Sequence, residues 1–222
     1  MVLGTLALGA IDASAYDLSA GRYHTCAIDD NGVSCWGRPS EGQTTVPPGL
    51  VNPSAVTAGE YHTCALDDNG VNCWGLNNSG QSTVPAGLAN PSMVDAGDYV
   101  ATCAVDDNGV ICWGSAAYGI TTVPAGLVNP SAVTVGYAHA CALDDNGITC
   151  WGAGENGSGN GQSTVPPGLV NPSIVAAGTH HTCALDDNGV TCWGSNHGGQ
   201  TSVPAGLVCM SSKVLGPQGL FS

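Results

Sequence analysis

Ten of the chain's eleven cysteines fall in five pairs of one spacing: Cys26/Cys35, Cys64/Cys73, Cys103/Cys112, Cys141/Cys150 and Cys183/Cys192. A C-x8-C pair can close a disulfide, hold a metal, or stay buried as two small apolar side chains. Zinc sites favour ligands two to four residues apart in clusters that meet in space, and this spacing departs from that rule. His24, His62, His139 and His181 each stand two residues before a first cysteine, with Ala101 in the same slot of the remaining copy. Such a set raises the thought of a metal ring or a general base. No nucleophile, base and orienting group recur together, so a hydrogen-bonded structural role is the expectation. Asp-Asp-Asn-Gly separates the two cysteines of every pair and carries most of the acidic residues. Calcium wants six to eight oxygens including a bidentate carboxylate, and four successive turn residues offer fewer. No catalytic, cofactor-binding or metal-ligating residue is therefore assigned, and no cofactor is expected. Asn77-Asn78-Ser79 and Asn156-Gly157-Ser158 match the glycosylation acceptor pattern, which matters only in a secretory host.

The elements that position these residues belong to a repeat. HTCAIDDNGVSCWG (24–37) recurs at 62–75, 101–114, 139–152 and 181–194. One step is lengthened by Asp98-Tyr99-Val100 and another by the Gly-rich insert 153–160. A second refrain, GQTTVPPGLVNPS (42–54), is echoed at 80–92, 119–131, 161–173 and 199–211. Five units of about 39 residues thus fill residues 18–211, between an N-terminal segment 1–17 and a tail 212–222. In each unit two short apolar runs flank Asp-Asp-Asn-Gly, where the first Asp and the final Gly suit a type I turn. A four-residue loop sets Leu66 opposite Val71 and the two cysteines of a pair opposite each other. Facing Cβ atoms lie ~4.5–5.5 Å apart, close to what a disulfide requires, whereas a three-residue loop would put the sulfurs on opposite faces. Five hairpin disulfides and one register are predicted together, against the alternative of buried free thiols. Cys209 is left over as a free or intermolecular thiol. Disulfides imply an extracellular or otherwise oxidising compartment.

No stretch has helical periodicity over the ten or more residues a helix needs, so the chain is all-β. Several short strands per unit suggest the radial blades of a β-propeller, with a linear β-solenoid as the lesser option. The signature G-x-x-H-T-C-A-L-x-x-x-G-x-V-x-C-W-G, followed by G-Q, resembles the repeat of the regulator of chromosome condensation family. More narrowly it is similar to a bacterial branch with short cysteine-containing units, to which the propeller-type β-lactamase inhibitory protein is related, and to plant Crinkly-type receptor ectodomains. The resemblance implies a propeller, usually of seven blades. Five units imply five closed blades, an incomplete ring, or chains that complement one another. The family's nucleotide exchange on the Ran GTPase and its chromatin docking are not carried over, because no residues specific to them can be matched.

Composition narrows the function. With 3 Lys+Arg against 17 Asp+Glu and a formal net charge of -14, the chain lacks the basic footprint that neutralises phosphates or docks on anionic membranes. Nucleic-acid binding is not expected. No apolar run approaches the ~20 residues that span a bilayer, so membrane insertion is not expected either. Residues 2–10 are apolar and precede Ala13-Ser14-Ala15, which reads as the tail of a secretory signal without its basic region; a truncated start or a strand closing on the last blade are alternatives.

Positions shared by all units serve the fold, and Trp36, Trp74, Trp113, Trp151 and Trp193 are expected to wedge between blades. Blade-specific function belongs where units disagree. One such zone precedes each core and contains Tyr23, Tyr61, Tyr99, Tyr137 and His180, candidate partner contacts if exposed and packing groups if not. The other follows Cys-Trp-Gly, at 38–41, 76–79, 115–118, 153–160 and 195–198. The leading expectation is a secreted, non-enzymatic scaffold that recognises a protein partner through one propeller face. A carbohydrate-binding propeller would use the same tyrosines, one stacking platform per blade. A self-associating structural or surface protein, with Cys209 pairing between chains, is the third.

Overall fold

The computed structural model describes residues 17–99, 101–153, 159–205 and 207. Each unit folds as three short antiparallel strands in chain order. Blade 1 is β1 (Asp17–Ala20), β2 (His24–Asp29) and β3 (Gly32–Gly37), and blade 2 is β4 (Ala55–Ala58), β5 (His62–Asp67) and β6 (Gly70–Gly75). Blade 3 follows as β7 (Met93–Ala96), β8 (Ala101–Asp106) and β9 (Gly109–Gly114). Blade 4 is β10 (Ala132–Val135), β11 (His139–Asp144) and β12 (Gly147–Gly152), and blade 5 is β13 (Ile174–Ala177), β14 (His181–Asp186) and β15 (Gly189–Gly194). The fold is all-β, as expected; a single 3-10 turn at Ala117–Gly119 is the one helical element among the described residues.

The hairpin register is the one the cysteine spacing required. Leu66 faces Val71 and Cys64 faces Cys73, and the same offsets recur in every blade. Disulfides join Cys26–Cys35, Cys64–Cys73, Cys103–Cys112, Cys141–Cys150 and Cys183–Cys192, with Cα atoms 4.0–4.1 Å apart. Cys209 lies outside the described residues. The acidic turn is held by its own carboxylate: Asp67 accepts the Asn69 amide at 2.8 Å through one oxygen and the Val51 amide at 2.8 Å through the other. Gly70 closes the turn at φ 112, a region that favours glycine. These carboxylate oxygens are occupied by backbone N–H groups, which accounts for the repeated Asp without a cation.

The core lies between blades. Val94 of blade 3 packs with Cys64 and Leu66 of blade 2, and Val175 of blade 5 packs with Cys141 and Leu143 of blade 4. Polar groups fasten the same junctions. At the junction of blades 1 and 2, the Thr63 hydroxyl donates to the Gln43 carbonyl at 2.9 Å and lies 2.7 Å from His24 Nε2. The Trp74 indole N–H donates to that same carbonyl at 2.9 Å. Because the threonine proton is committed to the carbonyl, the imidazole is the donor and carries its proton on Nε2. The latch recurs with His62, Thr102, Gln81 and Trp113, and with His139, Thr182, Gln162 and Trp193. Between blades 3 and 4 the set is reduced to Trp151 donating to the Ile120 carbonyl at 2.6 Å. There Ala101 replaces the histidine and Ala140 the threonine.

The expectation that every Trp wedges between blades holds for four of the five. Trp74, Trp113, Trp151 and Trp193 are buried, but Trp36 is 53% exposed, because among the described residues no blade packs on its side of blade 1. At the other end, Ile174 of blade 5 is 56% exposed, with no blade packed on that side among the described residues. The four internal junctions are therefore made, and a fifth between blade 5 and blade 1 is not made in the same way among the described residues.

Candidate functional site

The tyrosines that vary between units sit in the turns leading into β2, β5, β8 and β11. Each turn is closed by a backbone bond across it, such as Gly59 N–H to the His62 carbonyl at 3.0 Å. Glycine is required at its start: a Cβ on Gly59 would run into the Gly97 carbonyl of the next blade. This shoulder-to-shoulder approach brings side chains about 39 residues apart in sequence into ring contact. Ring centroids are 5.5 Å apart for Tyr23 and Tyr61, 6.3 Å for Tyr61 and Tyr99, and 5.5 Å for Tyr99 and Tyr137. His180 ends the series at 5.4 Å from Tyr137. The five candidate residues thus form one continuous aromatic arc across all five blades, and not separate platforms.

Packing and exposure coexist here. Tyr23 and Tyr99 keep 37% and 40% of their surface, while Tyr61 and Tyr137 are half-buried between neighbours. Two groups from the variable zone after Cys-Trp-Gly join the arc. Tyr118 reaches Tyr137 at 6.2 Å from the 3-10 turn, where it has φ 63. Arg38 lies over Tyr23 at 5.2 Å and over Tyr61 at 5.9 Å. Their signal was that Arg38 stands where other units have Leu76, Ser115, Ala153 and Ser195, and Tyr118 where others have Glu41, Ser79 and Gly198, but only blade geometry shows that the two zones converge.

Charge is concentrated at one end. Arg22 lies over Tyr23 at 5.3 Å and pairs with buried Glu60 at 3.1 Å, and the Glu60 charge pushes the guanidinium pKa up from its ordinary value. Hydrogen bonding to Glu60, then burial, raises the Tyr61 hydroxyl, and burial raises that of Tyr137. Both arginines of the chain are therefore at this arc. Beside it opens a pocket of about 570 Å³ lined by Ala20, Gly21, Arg22, Asp98, Tyr137, Thr179 and His180. Its residues come from blades 1, 3, 4 and 5, so the blades converge around it. One buried carboxylate oxygen there, Asp98 Oδ2, has no hydrogen-bond partner among the described residues.

The histidines of the cores are elsewhere, inside the blade junctions. Burial holds His62 and His139 at about 4, well below the ordinary imidazole value, and lowers His24 as well. They are neutral latch donors near neutral pH. No group of three or more His, Cys, Asp or Glu side chains among the described residues is placed to hold a metal ion. No helix among them is long and apolar enough to cross a membrane.

Radial three-stranded blades joined by such junctions define a β-propeller architecture. The particular repeat is also identified: the regulator of chromosome condensation (RCC1) repeat profile matches residues 16–43, 54–81 and 173–200, and the chain carries repeats of that type. No curated protein sequence matches the chain. Among solved structures it is similar to the ectodomain of the Physcomitrella patens receptor kinase CR4, with 25% identity, a TM-score of 0.62 and coverage of 80% of this chain and 50% of that one. It is similar also to the CRINKLY ectodomain of the Arabidopsis thaliana receptor kinase ACR4, with 26% identity, a TM-score of 0.60 and coverage of 80% and 62%. Prp20p of Saccharomyces cerevisiae shares the fold at 19% identity, a TM-score of 0.64 and coverage of 80% and 57%. The chain spans between half and two thirds of these structures.

Proposed function

We propose that this chain is a secreted, non-enzymatic scaffold that binds a protein partner through the face bearing the aromatic arc. The observation that carries the reading is the unbroken series Tyr23, Tyr61, Tyr99, Tyr137 and His180, flanked by Arg22 and Arg38, on a rigid disulfide-stapled frame. Tyr and Arg on a preordered surface are the groups that anchor protein interfaces at low entropic cost. The fold supports the class: Prp20p is described by its binding to Gsp1p and histones. Five disulfides are the chemistry of an oxidising compartment, which supports secretion.

A carbohydrate ligand would need free ring faces. Tyr99 and Tyr137 stack on each other at 26°, which removes one face from each and favours the protein reading. The test is affinity capture from native extracellular material, run in parallel with a glycan array, using the wild type and a Tyr99→Ala/Tyr137→Ala variant. A protein retained by the wild type and lost with the variant supports the proposal. Glycan binding lost with the same variant would replace it by the lectin reading.

A further inference from the structure

The four internal junctions share one plan, and the two ends of the array expose its two halves. In each full latch the earlier blade supplies His Nε2 and a carbonyl, and the later blade supplies a Thr hydroxyl and a Trp indole. Blade 5 carries His181 and Gln200 in the first role, and blade 1 carries Thr25 and Trp36 in the second. Neither the Trp36 indole N–H nor the Gln200 carbonyl has a hydrogen-bond partner among the described residues. Gln43, Gln81 and Gln162 are buried at their junctions, whereas Gln200 is exposed.

The apolar part is split in the same way. Leu18 occupies the slot of Val56, Val94, Val133 and Val175, which are 0–8% exposed, but it is itself 68% exposed. On the opposite face, Ile174 stands open where Ala55, Met93 and Ala132 pack against the following blade. The His–Thr pairing also shows its own rule within the chain. At the one internal junction without the histidine, the threonine is missing too. Thr25 and His181 are both present although nothing among the described residues pairs them.

We propose that the blade 1 face of one chain docks on the blade 5 face of a second copy, forming a fifth junction of the internal type. Trp36 would donate to the partner copy's Gln200 carbonyl, Thr25 would take the position between His181 and that carbonyl, and Leu18 would cover Ile174. The faces differ, so the contact is head-to-tail: it either closes into a ring or continues as a chain of copies. It uses the sides of the end blades and leaves the aromatic arc uncovered, so it stands or falls separately from the partner-binding reading.

The test uses the full chain with Cys209→Ser, which removes covalent pairing. Sedimentation velocity across the micromolar to millimolar range should show mass rising with concentration. Trp36→Glu and Ile174→Glu, each at an exposed position, should weaken association at least tenfold. An equimolar mixture of the two variants should form a two-chain species and stop, because each retains the opposite intact face. A second reading needs no substitution: Trp36 is the exposed indole of the five, so acrylamide quenching should fall as the concentration rises. A chain that stays monomeric throughout, variants that associate like the parent, or a mixture that fails to pair would each overturn the proposal.

Discussion

His62 on blade 2 donates through Nε2 to the Thr102 hydroxyl on blade 3, 2.9 Å away, and that hydroxyl donates in turn to the Gln81 carbonyl at 2.9 Å. This one relay fixes the histidine's tautomer, satisfies a carbonyl in the connection, and locks two disulfide-stapled hairpins side by side. Thr102→Val keeps the shape and removes both bonds, leaving a buried donor and acceptor weakened. It should cost about 1–3 kcal/mol, measured as a drop in urea midpoint. Thr25→Val, in the same slot but without a partner among the described residues, should leave the midpoint of the dilute chain unchanged.

Acid should loosen the junctions. His62 and His139 have folded values of about 4 against an ordinary 6.5, because burial disfavours the charged ring. Between those two limits the unfolded chain binds more protons than the folded one, so stability falls as the pH falls through this window and levels off below it. Each histidine contributes up to about 3 kcal/mol to that loss. Asp95 acts in the opposite direction, since burial raises its carboxyl. Urea denaturation at pH 7 and pH 4.5 should show the lower stability at pH 4.5. Equal midpoints would contradict the buried neutral tautomer.

The disulfides make a counting prediction. Ten of eleven cysteines are paired, so alkylation of the unreduced denatured chain should label no more than one thiol. Each bridge closes a short loop. A Cys103→Ser/Cys112→Ser variant should therefore lose about 2 kcal/mol, the lower end of the usual range.

The turn carboxylate should matter for stability and not for cation binding. Asp67→Ala frees the Val51 and Asn69 amides and should lower stability by about 1–3 kcal/mol. Calcium should shift the melting temperature of neither the variant nor the parent.

How much of this was legible in the sequence depended on the range of the contact. The Leu66–Val71 register and the cysteine pairing are local consequences of a four-residue turn, and they could be read from spacing. The latch could not, because it joins His62 to Thr102 and Trp113 to a backbone carbonyl, and a carbonyl leaves no mark in a sequence. The paired loss of His and Thr at Ala101 and Ala140 was present as a signal but has meaning only once those positions are neighbours. The tyrosine series was visible as a column in the repeat. Its fusion into one arc with Tyr118 and Arg38 required the close approach that Gly59 permits.

If the aromatic arc is the face that meets a protein partner, that partner must lie within reach of Tyr99. A photo-crosslinking amino acid placed at Tyr99, on the arc, tests it directly when compared with the same probe at Asn69, at the far end of a hairpin. In native extracellular material a discrete protein adduct is expected from position 99 and none from position 69. Equal adducts from both positions, or none from position 99, would contradict it.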